Sequence, residues 1–127
     1  MKKILLTLVA STFILTGCSS STSAVETVDA TTWIEKAQST SAQIIDVRTA
    51  DEYASGHLAN AINIDVEGGT FDSQIVSLDK NATYALYCHS GRRSNIAAGK
   101  MADAGFKNII NLNGGLTDLL QAGAQLG

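Results

Sequence analysis

The sequence is short of cysteine, histidine and long apolar runs, and it carries fewer cations than anions. Two cysteines, Cys18 and Cys88, are too few for a disulfide framework. Two histidines and those thiols give no recognisable ligand spacing, so no metal site is expected. Nine Lys and Arg stand against 12 Asp and Glu, a formal charge of -3, which does not suit a nucleic-acid partner. The apolar run from Ile4 to Leu15 is shorter than the about 20 residues that a spanning helix needs. No internal repeat is visible.

What remains is a chain of 127 residues, 45% hydrophobic and 17% charged, which fits one compact domain with one small core. Its start has a different character. Lys2 and Lys3 precede the run from Ile4 to Leu15, and small residues lead to Cys18, the layout of a secretory signal. Leu15-Thr16-Gly17-Cys18 resembles the lipobox of bacterial lipoproteins. That resemblance implies cleavage before Cys18 and a diacylglycerol on its sulfur.

The expected organisation is therefore a signal peptide over residues 1–17, a lipidated Cys18 with a Ser/Thr-rich spacer over 18–27, and a domain over 28–127. The mature chain would keep 7 of its 9 Lys and Arg against all 12 Asp and Glu, a formal charge of -5. Its expected membrane contact is the lipid itself, each buried methylene adding about 0.8 kcal/mol. The expected location is the extracytoplasmic side of a bacterial membrane or the periplasm, and a domain of this size can work as a monomer. Cys88 would then be a lone thiol in an oxidising compartment, which must be buried or used.

From Val25 onward, β-branched runs alternate with helical patterns. QIIDV (Gln43 to Val47), AINI (Ala61 to Ile64), YALYC (Tyr84 to Cys88) and NIINL (Asn108 to Leu112) read as strands. Thr31 to Gln38 reads as a helix capped by Asp29 or Thr31, and Thr49-Ala50-Asp51-Glu52 has the form of a capping box. Thr70 to Ser77 is a weaker helical pattern. Ala97, Met101 and Ala104 define the apolar face of a helix from Arg92 or Arg93 to Ala104, stopped by Gly105, and a last helix follows Gly114-Gly115 with Leu116, Leu119 and Leu120. The alternation implies an α/β fold, a mainly parallel central sheet with helices on both faces.

The stretch Cys88-His89-Ser90-Gly91-Arg92-Arg93-Ser94 stands where a strand ends and a helix begins. A helix start offers unpaired N–H groups and a partial positive charge, which favour a thiolate and a bound anion. Gly91 can take positive φ and turn loop amides inward, and arginine donors match an oxyanion. The chemistry expected is a nucleophilic Cys88 with a lowered pKa beside a pocket for a small oxyanion.

The loop resembles the active-site loop of rhodanese-like sulfurtransferases, with the pattern Cys-x-x-Gly-x-Arg. IIDVR (Ile44 to Arg48), EYASGHLANAINI (Glu52 to Ile64) and AGFKNIINLNGG (Ala104 to Gly115) are similar to the same family in order and spacing. Two positions depart from it: Ala59-Asn60 replaces a common Pro-Gly pair, and Leu119 replaces a frequent Trp. The resemblance implies a rhodanese-like fold and a double displacement without a separate cofactor. Cys88 would take the outer sulfur of thiosulfate or a similar anion and pass it, as a persulfide, to a thiol or cyanide. His89 to Ser94, with Arg92 and Arg93 among them, would bind the substrate.

Related phosphatases and arsenate reductases of this fold have five residues between Cys and Arg. Four lie between Cys88 and Arg93, which favours sulfur transfer over ester hydrolysis. A persulfide or redox binding module without rapid turnover is the other reading. Asp46, Arg48, Glu52 and His57 are expected to be supporting residues, Arg48 and Glu52 as an ion pair and His57 as a structural hydrogen-bonding group.

Overall fold

The computed structural model describes residues 23–127. The expected signal peptide, Cys18 and the first part of the spacer lie outside these residues.

Ten elements follow one another: β1 (Val25–Val28), α1 (Ala30–Ser39), β2 (Gln43–Asp46), α2 (Ala50–Ser55), β3 (Ile62–Asn63), α3 (Phe71–Ile75), β4 (Thr83–Tyr87), α4 (Arg92–Asp103), β5 (Asn108–Leu112) and α5 (Leu116–Gln121). The five strands form one sheet in the order β1-β5-β4-β2-β3, every neighbouring pair parallel. The register aligns Val25 with Ile109 and Ile109 with Tyr84, so β1 enters the sheet level with the start of β4.

Strand periodicity divides the core. Along β4, Tyr84, Leu86 and Cys88 face α3 and α4 with Ile45, Val47, Phe71, Ala97, Met101 and Phe106. Ala85 and Tyr87 face the other way, toward Trp33 and Ala37 of α1 and Leu119 of α5. Burial on both faces explains why these central strands read as nearly continuous apolar runs.

The edges differ from expectation. The sheet begins at Val25, inside the segment read as spacer, because β1 is an edge strand whose Glu26 and Thr27 are exposed and give no apolar pattern. Thr27 is tied inward instead: the buried Asn111 amide donates to Thr27 Oγ1 at 3.3 Å and also to Asn95 Oδ1, joining β1, β5 and α4. Asp29 is the cap of α1, accepting the Thr32 N–H at 2.8 Å. At Ala59-Asn60, Asn60 takes φ +65°, a left-handed conformation that asparagine tolerates.

Candidate active site

Three adjacent strand ends build the site: β2 leads to Arg48 and α2, β4 to the Cys88 loop and α4, and β5 to the double glycine before α5. Cys88 continues β4 and is fully buried under its loop, a closed cup on whose outer side His89 and Ser90 are exposed. Gly91 closes the cup. Its N–H donates to Cys88 Sγ at 3.0 Å, and its φ of +103°, which glycine adopts freely, lets it serve as the N-cap of α4.

Burial alone pushes the Cys88 thiol up. Hydrogen bonds from the Ser94 hydroxyl and N–H, and from the Gly91 and Ser90 N–H groups, outweigh it and hold the thiol below its ordinary value. Ser94 is itself fully buried, and its hydroxyl also reaches the Gly91 carbonyl at 3.1 Å. Thus Cys88, Ser90, Gly91 and Ser94 come together, while His89 is exposed on the outer side of the loop.

The double glycine is the platform beneath this cup. A Cβ on Gly115 would lie 1.7 Å from the His89 carbonyl oxygen, and one on Gly91 would lie 3.2 Å from that of Gly114. The Leu116 N–H donates to the Cys88 carbonyl at 3.1 Å, and Asp118 Oδ2 accepts the Gly115 N–H at 2.8 Å. In the sequence these glycines mark only the start of α5, and their contact with the loop leaves no local trace. A double glycine has several uses, and nothing local names its neighbour.

The two arginines do not share one environment. Arg92 is exposed and pairs with Glu67 at 2.7 Å. Arg93 points back to α2, where Glu52 takes both of its terminal nitrogens at 2.6 and 2.9 Å. The expected Arg48–Glu52 pair is therefore replaced by two other pairs. Glu52 binds Arg93, and Arg48 binds Asp46 through Nε and Nη2, the latter at 2.6 Å. The reason is geometric: Asp46 and Arg48 lie on the same strand end and both are buried, whereas Glu52 lies on the first turn of α2 and faces the start of α4. Thr49 caps α2, accepting the Glu52 N–H at 3.3 Å, but the Glu52 carboxylate goes to Arg93 rather than completing the box.

Asp46 is the hub of a buried network. Beside Arg48, it accepts the Tyr87 hydroxyl at 2.6 Å, and that hydroxyl accepts the Leu58 N–H at 3.0 Å. Burial first, and then the bond to Asp46, raise the Tyr87 pKa well beyond its ordinary value, so the phenol stays protonated and keeps donating. Arg48 Nη2 also binds the Gly56 carbonyl at 2.6 Å, and Asn63 donates to the Asp46 and Arg48 carbonyls at 3.0 and 2.8 Å. His57 stacks on Tyr53 with ring centroids 3.7 Å apart, its Nδ1 2.9 Å from the Tyr53 carbonyl. These groups tie together the ends of β2, β3 and β4.

The family profile described as a rhodanese-like domain matches residues 29–122. The chain belongs to the rhodanese-like family. It is 35% identical over 75 residues to the thiosulfate sulfurtransferase PspE of Escherichia coli (strain K12), covering 59% of this chain and 71% of PspE. It is 37% identical over 78 residues to YrkF of Bacillus subtilis (strain 168), a protein named as a sulfur carrier, covering 61% of this chain and 41% of YrkF. The crystal structure of a rhodanese-related protein from Thermoplasma volcanium superposes with a TM-score of 0.70 at 24% identity, covering 80% of this chain and 97% of that one. That likeness establishes the rhodanese-like fold, with the Cys88 loop at the carboxyl edge of its parallel sheet.

Proposed function

We propose that this chain is a sulfurtransferase that carries sulfane sulfur as a persulfide on Cys88. The observation that carries the reading is the thiol itself: fully buried, yet held below its ordinary pKa by loop donors that point at the sulfur. Thiolate attack on the outer sulfur of thiosulfate forms the Cys88 S–S bond, breaks the donor S–S bond and releases sulfite. The persulfide keeps one negative charge. Attack by cyanide or a thiolate on its outer sulfur breaks the new S–S bond and returns the Cys88 thiolate. Loop N–H groups and the start of α4 hold charge at the sulfur throughout. The spacing of four residues between Cys88 and Arg93, shorter than the five of the related phosphatases, supports sulfur transfer, and the name of PspE supports thiosulfate as the donor.

A slow sulfur carrier is the second reading. It is favoured by the complete cover over Cys88 and by the name of YrkF. The first experiment is intact mass spectrometry after thiosulfate and then cyanide, beside Cys88→Ser. A gain of one sulfur on the wild type alone, discharged as thiocyanate over many turnovers, supports the enzyme. A gain that discharges slowly supports the carrier, and no gain overturns both. We also propose, from the sequence before Val25, that export and lipidation at Cys18 hold the domain at a membrane. Cys18→Ala would move the protein to the soluble fraction; unchanged membrane association would overturn that part.

A further inference from the structure

The Cys88 cup has two arginines at its edge, and both are already paired. Arg92 turns outward to Glu67, in a pair whose side chains are largely exposed. Arg93 is the more enclosed, 14% exposed, and its partner Glu52 is 34% exposed. Both terminal nitrogens of Arg93 are taken by the two carboxylate oxygens, and the Thr49 hydroxyl adds a third bond to Glu52 at 3.1 Å. These contacts, the Arg93 bonds foremost, hold the Glu52 carboxyl down to about 2, so it is ionised throughout the neutral range. The cation at the first turn of α4 is therefore matched by an anion from α2. What the cup keeps is the positive end of a helix, equivalent to roughly half an elementary charge, and its inward N–H groups.

We propose that Glu52 sets the anion selectivity of the Cys88 loop by withdrawing Arg93 from it. A cup of small positive potential holds one negative charge on sulfur, as thiolate or persulfide. It holds a doubly charged oxyanion weakly, because the guanidinium fork that would grip two oxyanion oxygens is occupied by a carboxylate of the same shape. Glu52 is thus a selectivity residue acting through Arg93 rather than a group that touches substrate. Applied to the sulfurtransferase reading, on which this consequence alone rests, the arrangement lets sulfite leave once the persulfide has formed.

The test is a sulfate titration at constant ionic strength, followed by the amide chemical shifts of residues 89–94. It uses a Cys88→Ser background so that the charge at that position does not change. Glu52→Gln keeps the shape and frees the Arg93 fork, and should tighten sulfate binding by about tenfold, the scale of one uncompensated charge at a part-exposed site. Arg93→Gln alone should change it little, and Glu52→Gln with Arg93→Gln should abolish the gain. A merely structural Glu52 would loosen the loop and weaken sulfate binding. That result, an unchanged affinity, or no shift in any variant overturns the proposal. With Cys88 restored, Glu52→Gln should lower the KM for thiosulfate and tighten inhibition by sulfite. If no variant transfers sulfur while the sulfate cycle behaves as stated, the activity reading fails and the selectivity role stands.

Discussion

At the scale of single residues, the site depends on a contest between burial and hydrogen bonding at one sulfur. Cys88 has lost its water, which favours the neutral thiol, and the loop donors reverse that preference. Removing one donor should therefore be visible directly. Ser94→Ala is expected to raise the pH at which ultraviolet absorbance reports the thiolate, with Cys88→Ser as the blank. A midpoint equal to the wild type would remove Ser94 from the thiolate's support. The folded-state pKa is depressed, so the stability linked to Cys88 is present above the unfolded value and is lost as pH falls through the folded one. A second residue acts by having no side chain. Gly115→Ala puts a methyl group 1.7 Å from the His89 oxygen, and the cup must shift. Under the proposed persulfide chemistry, displacement of this kind is expected to cost about 100-fold in sulfur loading, followed by mass spectrometry. Loading at the wild-type rate would show that the double glycine is not the platform described.

At the scale of elements, one ion pair braces the end of β2 and another joins two helices, and they differ in depth. Asp46 and Arg48 are buried, so Asp46→Ala leaves a guanidinium and the Tyr87 hydroxyl without their partner. The expected loss is about 3–5 kcal/mol in urea unfolding; a loss below about 1 kcal/mol would mean that water replaces the carboxylate. The Glu52–Arg93 pair joins α2 to α4 nearer the surface. Its carboxylate falls from an ordinary 4.5 to about 2 on folding, so its contribution is full above about 4.5 and disappears as pH drops toward 2. Screening at a site about a third exposed limits that contribution to about 1 kcal/mol. Glu52→Gln should flatten this part of the stability curve, while an unchanged acid slope would assign it to other carboxylates.

At the scale of the whole molecule, the sheet separates two apolar clusters and joins them through β4. Trp33→Ala, on the α1 side, should cost about 3–5 kcal/mol and leave one unfolding transition for both sides. Two transitions would show that the clusters melt independently. The central strands and α4 were legible in the sequence because burial on both faces writes long apolar runs, and a glycine before a helix marks a turn. Cys88 and its loop were legible for the same local reason. The β1 strand was not, since its exposed Glu26 and Thr27 follow the solvent and its pairing with β5 is set 84 residues away. The partner of Glu52 was hidden likewise, because Arg93 stands 41 residues along the chain and Arg48 is nearer in sequence. The direction of β1 has a further use. Val25 is level with Tyr84, and Cys88 lies four residues farther along β4, roughly 13 Å toward the other rim of the sheet. The N-terminal end is thus a handle: the domain can be grafted onto a bead, a carrier protein or a bilayer through residues before Val25 with its reactive mouth turned outward to the solution.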